Sequence, residues 1–317
     1  MLPVEYFHVV FTLPSPISDI AYQNKAVMYN ILLKAASQTL LTIGADSKHL
    51  GAKLGLTAVL HTWGSAMTHH PHLHCIVPGG GLSKDKQHWV ACRRGFFLPV
   101  RVLSRLFRRL YLEQLEQAYQ DGRLAFHGTH ADLIDAANFS RHLQPVRQVD
   151  WVVYAKRPFD GLESVLKYLS RYTHRIAIAN SRLISANAHS VTFKWKDYRI
   201  EGPKRYGSMR LDTAEFIRRF LIHVLPSGFH RIRHYGLLSN KARTDSLPLA
   251  RKLLQIQPVL EEQDEPAITV PVFVCRHCGE PMIITEVFER PYVARGPPIP
   301  AMSRSELDYL SGRPCVD

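Results

Sequence analysis

Apolar residues recur along this chain with two periods, every second residue in some stretches and about every 3.6 residues in others. The first period, with proline or glycine at the ends, predicts strands. These are residues 5–13, 54–64, 72–78, 88–92, 149–156 and 190–200. The second period predicts helices over residues 19–43, 100–120, 160–175 and 212–225. Since strands and helices do not alternate regularly, we expect an α+β fold with an antiparallel sheet flanked by helices.

Composition shifts near the carboxyl end predict the domain organisation. Residues 1–258 carry the strands and helices and form the main domain. Residues 259–268 contain the acidic run "LEEQDEP" and are predicted to be a linker. Residues 269–287 form a small cysteine-bearing module, and the proline-rich residues 288–317 are expected to be a poorly ordered tail.

The charge balance points to a polyanionic partner. The 317 residues include 40 Lys and Arg against 27 Asp and Glu, a formal net charge of +13. Such an excess favours nucleic acid as the partner, although a basic protein without that role has the same balance. No segment approaches the roughly 18 apolar residues of a membrane span. With no basic leader at its start, the chain is expected in the bacterial cytoplasm, without a membrane partner.

The cysteines argue against a disulfide framework, because their number is odd (five) and no secretory leader is seen. Cys275 and Cys278, in "CRHCGEPM", have the spacing of half a zinc ribbon. Structural Zn²⁺ at this pair is one interpretation. A CxxC pair that lacks its partner pair and binds no metal is the other.

The stretch "SAMTHHPHLHCIVPGGG" (65–81) concentrates histidines at the start of a predicted strand. Strand residues two apart share a face, so His72 and His74 lie side by side while Leu73 points into the core. His61, on the preceding strand, could join them if the two strands pair. Three imidazoles with open positions suit a catalytic metal site. Solvated or hydrogen-bonded histidines are the alternative, and His69 and His70 are expected in the loop.

Two tyrosines in the predicted helix 160–175 are candidate nucleophiles. Tyr168 and Tyr172 are four residues apart and so share a helix face. An aromatic core stripe has the same spacing, but basic neighbours are unusual for one. A tyrosine hydroxyl needs a proton acceptor or a cation to attack a phosphodiester, and a nearby metal would supply the cation. The basic neighbours suited to a DNA backbone are Lys167, Arg171 and Arg175.

Cations and aromatics also alternate elsewhere in the chain. Lys194 lies in "FKWKDY", and Arg231 and Arg233 lie in "FHRIRHYG". That composition suits single-stranded DNA, whose bases stack on rings while cations follow its phosphates. A solvated surface is the alternative for each of these residues. No P-loop motif occurs.

These motifs together carry a family resemblance. "HLHC" resembles the histidine–hydrophobic–histidine (HUH) signature of single-strand DNA endonucleases. With "LHTWG", "HPHLHCIVPGGG", "YLSRYTHRIAIANSRL" and "LPSGFHRIRHYGLLSN", the chain is similar to rolling-circle transposases of the insertion sequence 91 type, over about residues 3 to 285.

The resemblance implies an HUH endonuclease-like fold and a metal-dependent tyrosine endonuclease and strand transferase. It places Mg²⁺ or Mn²⁺ on His72 and His74, while His61 as a third ligand follows from strand geometry. An imidazole-rich site would also take Zn²⁺ or Ni²⁺ in vitro. Tyr168 or Tyr172 would attack single-stranded DNA at element ends and target, leaving a 5′-phosphotyrosine and a free 3′-OH.

Several alternatives stay open beside this resemblance. Family members carry a zinc-binding segment before the first strand, whereas this sequence begins at that strand. A rolling-circle replication initiator, a relaxase or an inactive DNA-binding remnant would share many of the features, and a homo-oligomer is left open as well.

Overall fold

The computed structural model describes residues 2–156, 177–197, 200 and 202–255, all within the compact unit Met1–Gln257. In chain order the described strands are β1 (Tyr6–Thr12), β2 (Ala52–Lys53), β3 (Gly55–Trp63), β4 (His69–Pro78), β5 (Gly80–Ser83), β6 (Trp89–Ala91), β7 (Val153–Lys156), β8 (Leu183–Ala186), β9 (Ser190–Lys196), β10 (Tyr206–Asp212) and β11 (Ile232–Gly236). The described helices are α1 (Ser15–Gln23), α2 (Lys25–Ala45), α3 (Val100–Gln120), α4 (Ala136–Gln148), α5 (Thr213–Leu221) and α6 (Arg243–Leu253). Short 3₁₀ turns lie at Gly128–Ile134, Asn180–Arg182 and Pro203–Arg205.

The main sheet has the strand order β11-β3-β4-β1-β7, and each neighbouring pair is antiparallel. Alternation along its strands gives it two different faces. One face is apolar and packs against α1, α2 and α3. That face carries Phe7, Val9, Phe11, Leu56, Ala58, Leu60, Leu73, Cys75 and Val77. The other face carries the histidines.

Two smaller sheets complete the fold. β10, β9 and β8 form an antiparallel sheet whose Phe193 is fully buried against Met67, at the turn between β3 and β4. β2, β5 and β6 form the third sheet. In this third sheet Leu82 of β5 packs with Leu237 and with Ala250 of α6.

The predicted fold class is confirmed, since an antiparallel sheet flanked by helices dominates the described residues. The single helix predicted over 19–43 is wrong: two helices meet at Asn24. The Asn24 side chain exchanges two hydrogen bonds with the backbone of Ala125, at 2.7 and 2.8 Å. A tertiary contact therefore fixes the break, and local periodicity does not reveal such contacts.

Other element boundaries differ by a few residues. The strand predicted over 149–156 is limited to Val153–Lys156, and residues 149–152 connect it to α4, which ends at Gln148. The helix predicted over 212–225 ends at Leu221, ahead of Pro226. The helix predicted over 160–175, the linker, the cysteine module and the tail lie outside the described residues. No helix among the described residues is long and apolar enough to cross a membrane.

Candidate metal centre and nucleic-acid interface

The pairing of β3 with β4 brings the predicted metal ligands together. His61 lies directly opposite His72, and Val59 lies opposite His74. Because side chains at paired positions share a face, the three histidines project from the same side of the main sheet. The register shifts after His61, so that Trp63 pairs with His69. This irregularity ends the regular pairing beside the histidines.

The three imidazoles converge closely. One ring nitrogen from each of His61, His72 and His74 lies within 4.8 Å of the other two. The ring centroids of His61 and His74 are 4.2 Å apart, and those of His72 and His74 are 4.8 Å apart. His61 is buried and the other two are half-buried. The arrangement fits three protein ligands to one divalent ion, with further positions left for water or substrate.

The hydrogen bonding of His72 fixes which nitrogen can bind a metal. Nδ1 of His72 lies 2.7 Å from the carbonyl oxygen of His70, which can only accept a hydrogen bond. Nδ1 therefore carries the hydrogen, and Nε2 carries the lone pair. Burial lowers the pKa of His72 to about 4, so the ring is uncharged at neutral pH and no proton competes for that lone pair.

A fourth histidine, His8, contacts the cluster from β1. Its Nε2 lies 2.7 Å from Nδ1 of His74, and the two rings stack with centroids 5.0 Å apart. The motifs of the sequence do not single out His8. Strand alternation could have identified it, because the side chains of Phe7, Val9 and Phe11 point to the buried face and that of His8 points to the other one. Such a position faces the histidine side of the sheet.

The histidines form one wall of a cavity of about 460 Å³, which we call the histidine cavity. A second wall, which we call the far wall, comes from the sheet β8–β10 and the residues before it. It consists of Arg182, Lys194, Trp195, Lys196 and Tyr206. Tyr206 is 61% exposed, and the amine of Lys196 lies 5.6 Å from the centre of its ring. One cavity thus contains cations, aromatic rings and the candidate metal ligands.

The prediction that His69 and His70 lie in a loop is wrong. Both belong to β4, which begins at His69. Nε2 of His69 and the Tyr29 hydroxyl form a 2.8 Å hydrogen bond. Burial, together with the smaller effects of the nearby charges of His223 and Lys25, lowers the pKa of His69 to about 4. Neither His69 nor His70 belongs to the candidate metal cluster.

The predicted DNA-binding residues have different surroundings. Lys194 lines the histidine cavity, but Arg231 lines a separate cavity beside Trp63. Arg233 donates a 2.6 Å hydrogen bond to Asn30 and lies over the Phe229 ring. The remaining predicted site residues lie outside the described part of the chain. They are Lys167, Tyr168, Arg171, Tyr172, Arg175, Cys275 and Cys278.

Sequence patterns also missed Arg182 and Tyr206 on the far wall of the histidine cavity. Arg182 donates hydrogen bonds to the carbonyl oxygens of Lys194 and Ser65. Nothing in the spacing of "NSRL" or "KRYG" distinguishes these residues, since their position depends on how β8–β10 meets the turn after β3.

Comparisons with known proteins address the identity of the chain. A family model described as "Putative transposase" matches residues 55–245, a range that contains all three clustered histidines. A protein named "Putative transposase y4qJ" of Sinorhizobium fredii is 56% identical over 254 residues, which cover 80% of this chain and 63% of that protein. The transposase for insertion sequence element IS801 of Pseudomonas savastanoi pv. phaseolicola is 25% identical over 88% of this chain and 67% of that protein.

This chain thus spans just under two thirds of the length of the Sinorhizobium relative. Among solved structures, the conjugative relaxase TrwC in complex with oriT DNA aligns at 11% identity with a TM-score of 0.29, over 78% of this chain and 72% of that one. The family match covers more than half of the chain and includes the histidine strands. The chain belongs to this transposase family, of the insertion sequence 91 type.

Proposed function

We propose that this protein nicks and joins single-stranded DNA at the ends of an insertion sequence, with a divalent metal and a 5′-phosphotyrosine intermediate. One observation carries the proposal. Three convergent imidazoles line the same cavity as a group of cations and aromatic rings. Membership of the transposase family supports the same activity, and a relative is a transposase for an insertion sequence element.

The metal would be held by His61, His72 and His74, with Mg²⁺ or Mn²⁺ as the expected ion. Bound there, it would polarise a phosphodiester oxygen and stabilise charge that develops during cleavage. The donor set fits this use, because His72 presents Nε2 as an uncharged ligand. Nitrogen ligands alone would also accept Zn²⁺ or Ni²⁺ in vitro.

The far wall of the histidine cavity would hold the DNA strand. Arg182, Lys194 and Lys196 supply positive charge for successive phosphates. Trp195 and Tyr206 supply aromatic faces on which bases can stack whatever their sequence. The strand would then pass with one phosphate directed at the histidines.

Tyr168 and Tyr172 are the proposed nucleophiles, from the family resemblance and their helical spacing. The tyrosine oxygen bonds to the phosphorus while the bond from phosphorus to the 3′-oxygen breaks. The tyrosine gives its proton to a base or to water, and the released 3′-oxygen takes up a proton. The products are a 5′-phosphotyrosine and a free 3′-OH, so the phosphodiester energy is kept for rejoining.

The proposal is tested by incubating labelled single strands from the ends of the protein's own element with Mn²⁺. We expect a nick in the wild type and none after EDTA. His72→Ala and His74→Ala should abolish cleavage yet leave DNA binding within about threefold, since the far wall supplies the phosphate contacts. Loss of binding together with cleavage would assign these histidines a structural role instead. Absence of any nick with the wild type would favour an inactive DNA-binding remnant.

A second arm of this experiment separates transposition from related nicking activities. A replication initiator or a relaxase shares the nick, but strand transfer requires joining one element end to a different strand. We expect the wild type to join an end to a target oligonucleotide in trans. Rejoining restricted to the original strand would contradict the transposase assignment while preserving the nicking chemistry.

A further inference from the structure

We infer that His8 is a positioning residue, which holds the ring of His74 in the tautomer and orientation that a metal requires. The inference rests on the metal site proposed above. His8 lies on β1, and β1 pairs with β4 so that Val10 is opposite His74 and His8 is opposite Ile76. The His8 ring therefore reaches one step diagonally along the sheet to meet His74.

The contact is close and directional. Nε2 of His8 and Nδ1 of His74 are 2.7 Å apart, and the two rings differ by only 12° in orientation. At this distance one of the two nitrogens carries the shared hydrogen and the other accepts it. His8 is 3% exposed, which shields the hydrogen bond from competing water.

Coordination decides the direction of this hydrogen bond. If His74 binds a metal through Nε2, its hydrogen is on Nδ1 and is donated to Nε2 of His8. The opposite arrangement, with an uncharged His74 accepting from His8, puts the hydrogen of His74 on Nε2, where a metal cannot bind. His8 as an acceptor therefore selects the ligating form of His74, as outer partners of metal-binding histidines do.

A test compares two replacements of His8 in the full chain. His8→Phe keeps an aromatic ring but removes the acceptor, whereas His8→Gln keeps an amide oxygen near the position of Nε2. We expect the dissociation constant for Mn²⁺, measured by isothermal titration calorimetry, to rise by roughly 10- to 100-fold in the phenylalanine variant. The glutamine variant should recover most of that loss. His88→Phe, at an exposed histidine outside the site, is the matched control.

The possible outcomes distinguish a wrong role for His8 from a wrong metal site. Mn²⁺ binding at the wild-type level by His8→Phe would overturn the role of His8. Equal losses in the phenylalanine and glutamine variants would overturn it too, since shape rather than the acceptor would then matter. If the wild type itself does not bind Mn²⁺, the proposed metal site is wrong, and so is the role of His8 that rests on it. Thermal unfolding of each variant without metal shows whether the fold is kept.

A second cavity carries an independent inference. It has a volume of about 290 Å³ and is lined by Trp63, His223, Phe229 and Arg231, among others. Trp63 also lines the histidine cavity, and its ring stacks on His61 with centroids 4.6 Å apart. The centroid of the Trp63 ring is also 6.1 Å from that of His223. A single indole ring therefore links this second cavity to the candidate metal ligands.

The geometry points to one unstacked nucleobase as the occupant of this second cavity, next to the phosphate that the proposed function places at the histidines. The lining includes the rings of Trp63 and Phe229 and the cationic side chain of Arg231, which are the residue types that stack on bases and contact base edges. The walls are held in place: His223 is hydrogen bonded to the Thr62 hydroxyl and to the carbonyl of Met67, both at 3.2 Å. A pocket with aromatic side chains in its lining suits a base turned out of the strand.

Photocrosslinking tests this occupant. A single-stranded oligothymidylate that contains 5-iodouracil is irradiated with the protein, and crosslinked peptides are identified by mass spectrometry. We expect crosslinks at Trp63 and Phe229, and roughly tenfold weaker binding of the strand by Phe229→Ala. Phe96→Ala, at an exposed aromatic outside both cavities, is the control. Crosslinks confined to Trp195 and Tyr206 would overturn the base site while leaving the proposed function standing. A wild type that fails to bind the strand would contradict the proposed function itself.

Discussion

The backbone N–H of Lys196 donates a 2.6 Å hydrogen bond to Oγ of Ser65. Arg182 donates a second hydrogen bond to the carbonyl oxygen of the same serine. Ser65 follows the histidine strand β3, while Lys196 ends β9 on the far wall of the histidine cavity. Hydrogen bonds to Ser65 therefore connect the two walls of the cavity.

Ser65→Ala is expected to loosen this connection. The variant leaves the half-buried Lys196 N–H without its acceptor, which should lower the free energy of unfolding by about 1 kcal/mol. Affinity for single-stranded DNA should fall a few-fold, because the far wall is held less firmly. Denaturant unfolding and fluorescence anisotropy measure the two effects. Ser47→Ala, at an exposed serine, should change neither, and wild-type affinity in Ser65→Ala would contradict the fastening role.

Removing charge from the far wall should weaken DNA binding in a salt-dependent way. In the double variant Lys194→Ala plus Lys196→Ala, two proposed phosphate contacts are lost. The slope of log affinity against log salt concentration should become shallower by about 1.4, since each single-strand phosphate contact contributes about 0.7. Anisotropy titrations at several salt concentrations measure it. Lys84→Ala, at an exposed lysine, should keep the wild-type slope, and an unchanged slope in the double variant would remove these lysines from the DNA path.

Acid should destabilise the protein through buried histidines. Burial lowers the pKa of His223 from its ordinary value of 6.5 to about 4, so the unfolded chain takes up a proton first as the pH falls. This contribution is fully present above pH 6.5 and is lost as the pH falls toward 4. Between these limits the free energy of unfolding falls by up to about 1.4 kcal/mol for each pH unit. His69 and His72, whose pKa values are also lowered to about 4, add in the same direction.

His223→Gln isolates one of these contributions. Its free energy of unfolding, measured in denaturant at several pH values, should fall less steeply below pH 6.5 than that of the wild type. His49→Gln, at an exposed histidine, should keep the wild-type steepness. Parallel curves for wild type and His223→Gln would show that His223 does not bear the predicted proton linkage.

His61 can be tested separately from the HUH pair. His61→Ala should weaken Mn²⁺ binding by at least about tenfold, because one of three proposed ligands is lost. His70→Ala is a matched control, since His70 lies outside the three-histidine cluster and the variant keeps the backbone carbonyl that is hydrogen bonded to His72. Calorimetric titration of both variants checks the prediction. Equal Mn²⁺ affinity in the two would mean that the third ligand lies elsewhere.

The part of the site that sequence could predict is the part that strand alternation determines. His72 and His74 share a face because they are two residues apart, and His61 meets them because β3 and β4 are consecutive strands that pair. Alternation also sorts Leu73 into the core, where it is fully buried. His8 obeys the same rule on β1. Its sequence does not mark it as a site residue, because it is a lone histidine on a strand of mostly buried apolar residues.

What sequence could not predict depends on contacts between distant segments. Arg182 and Tyr206 reach the histidine cavity only because β8–β10 packs against the turn after β3, through the buried contact of Phe193 with Met67. The division of the long N-terminal helix at Asn24 depends on hydrogen bonds to Ala125, about 100 residues away. Helix α4 was not predicted for a different reason. Asp135 caps it through the N–H groups of Ala137 and Asn138, but its apolar pattern was too sparse to predict a helix.

The central claim is that a tyrosine of this chain becomes covalently joined to DNA in a reaction that needs the histidine-bound metal. It is tested most directly by mixing the protein with a 5′-labelled and a 3′-labelled single-stranded element end in Mn²⁺ and separating the products in SDS. We predict an SDS-resistant adduct that carries only the 3′ label. It should be absent with EDTA and absent in the double variant Tyr168→Phe plus Tyr172→Phe. An adduct that persists in that double variant would contradict the account.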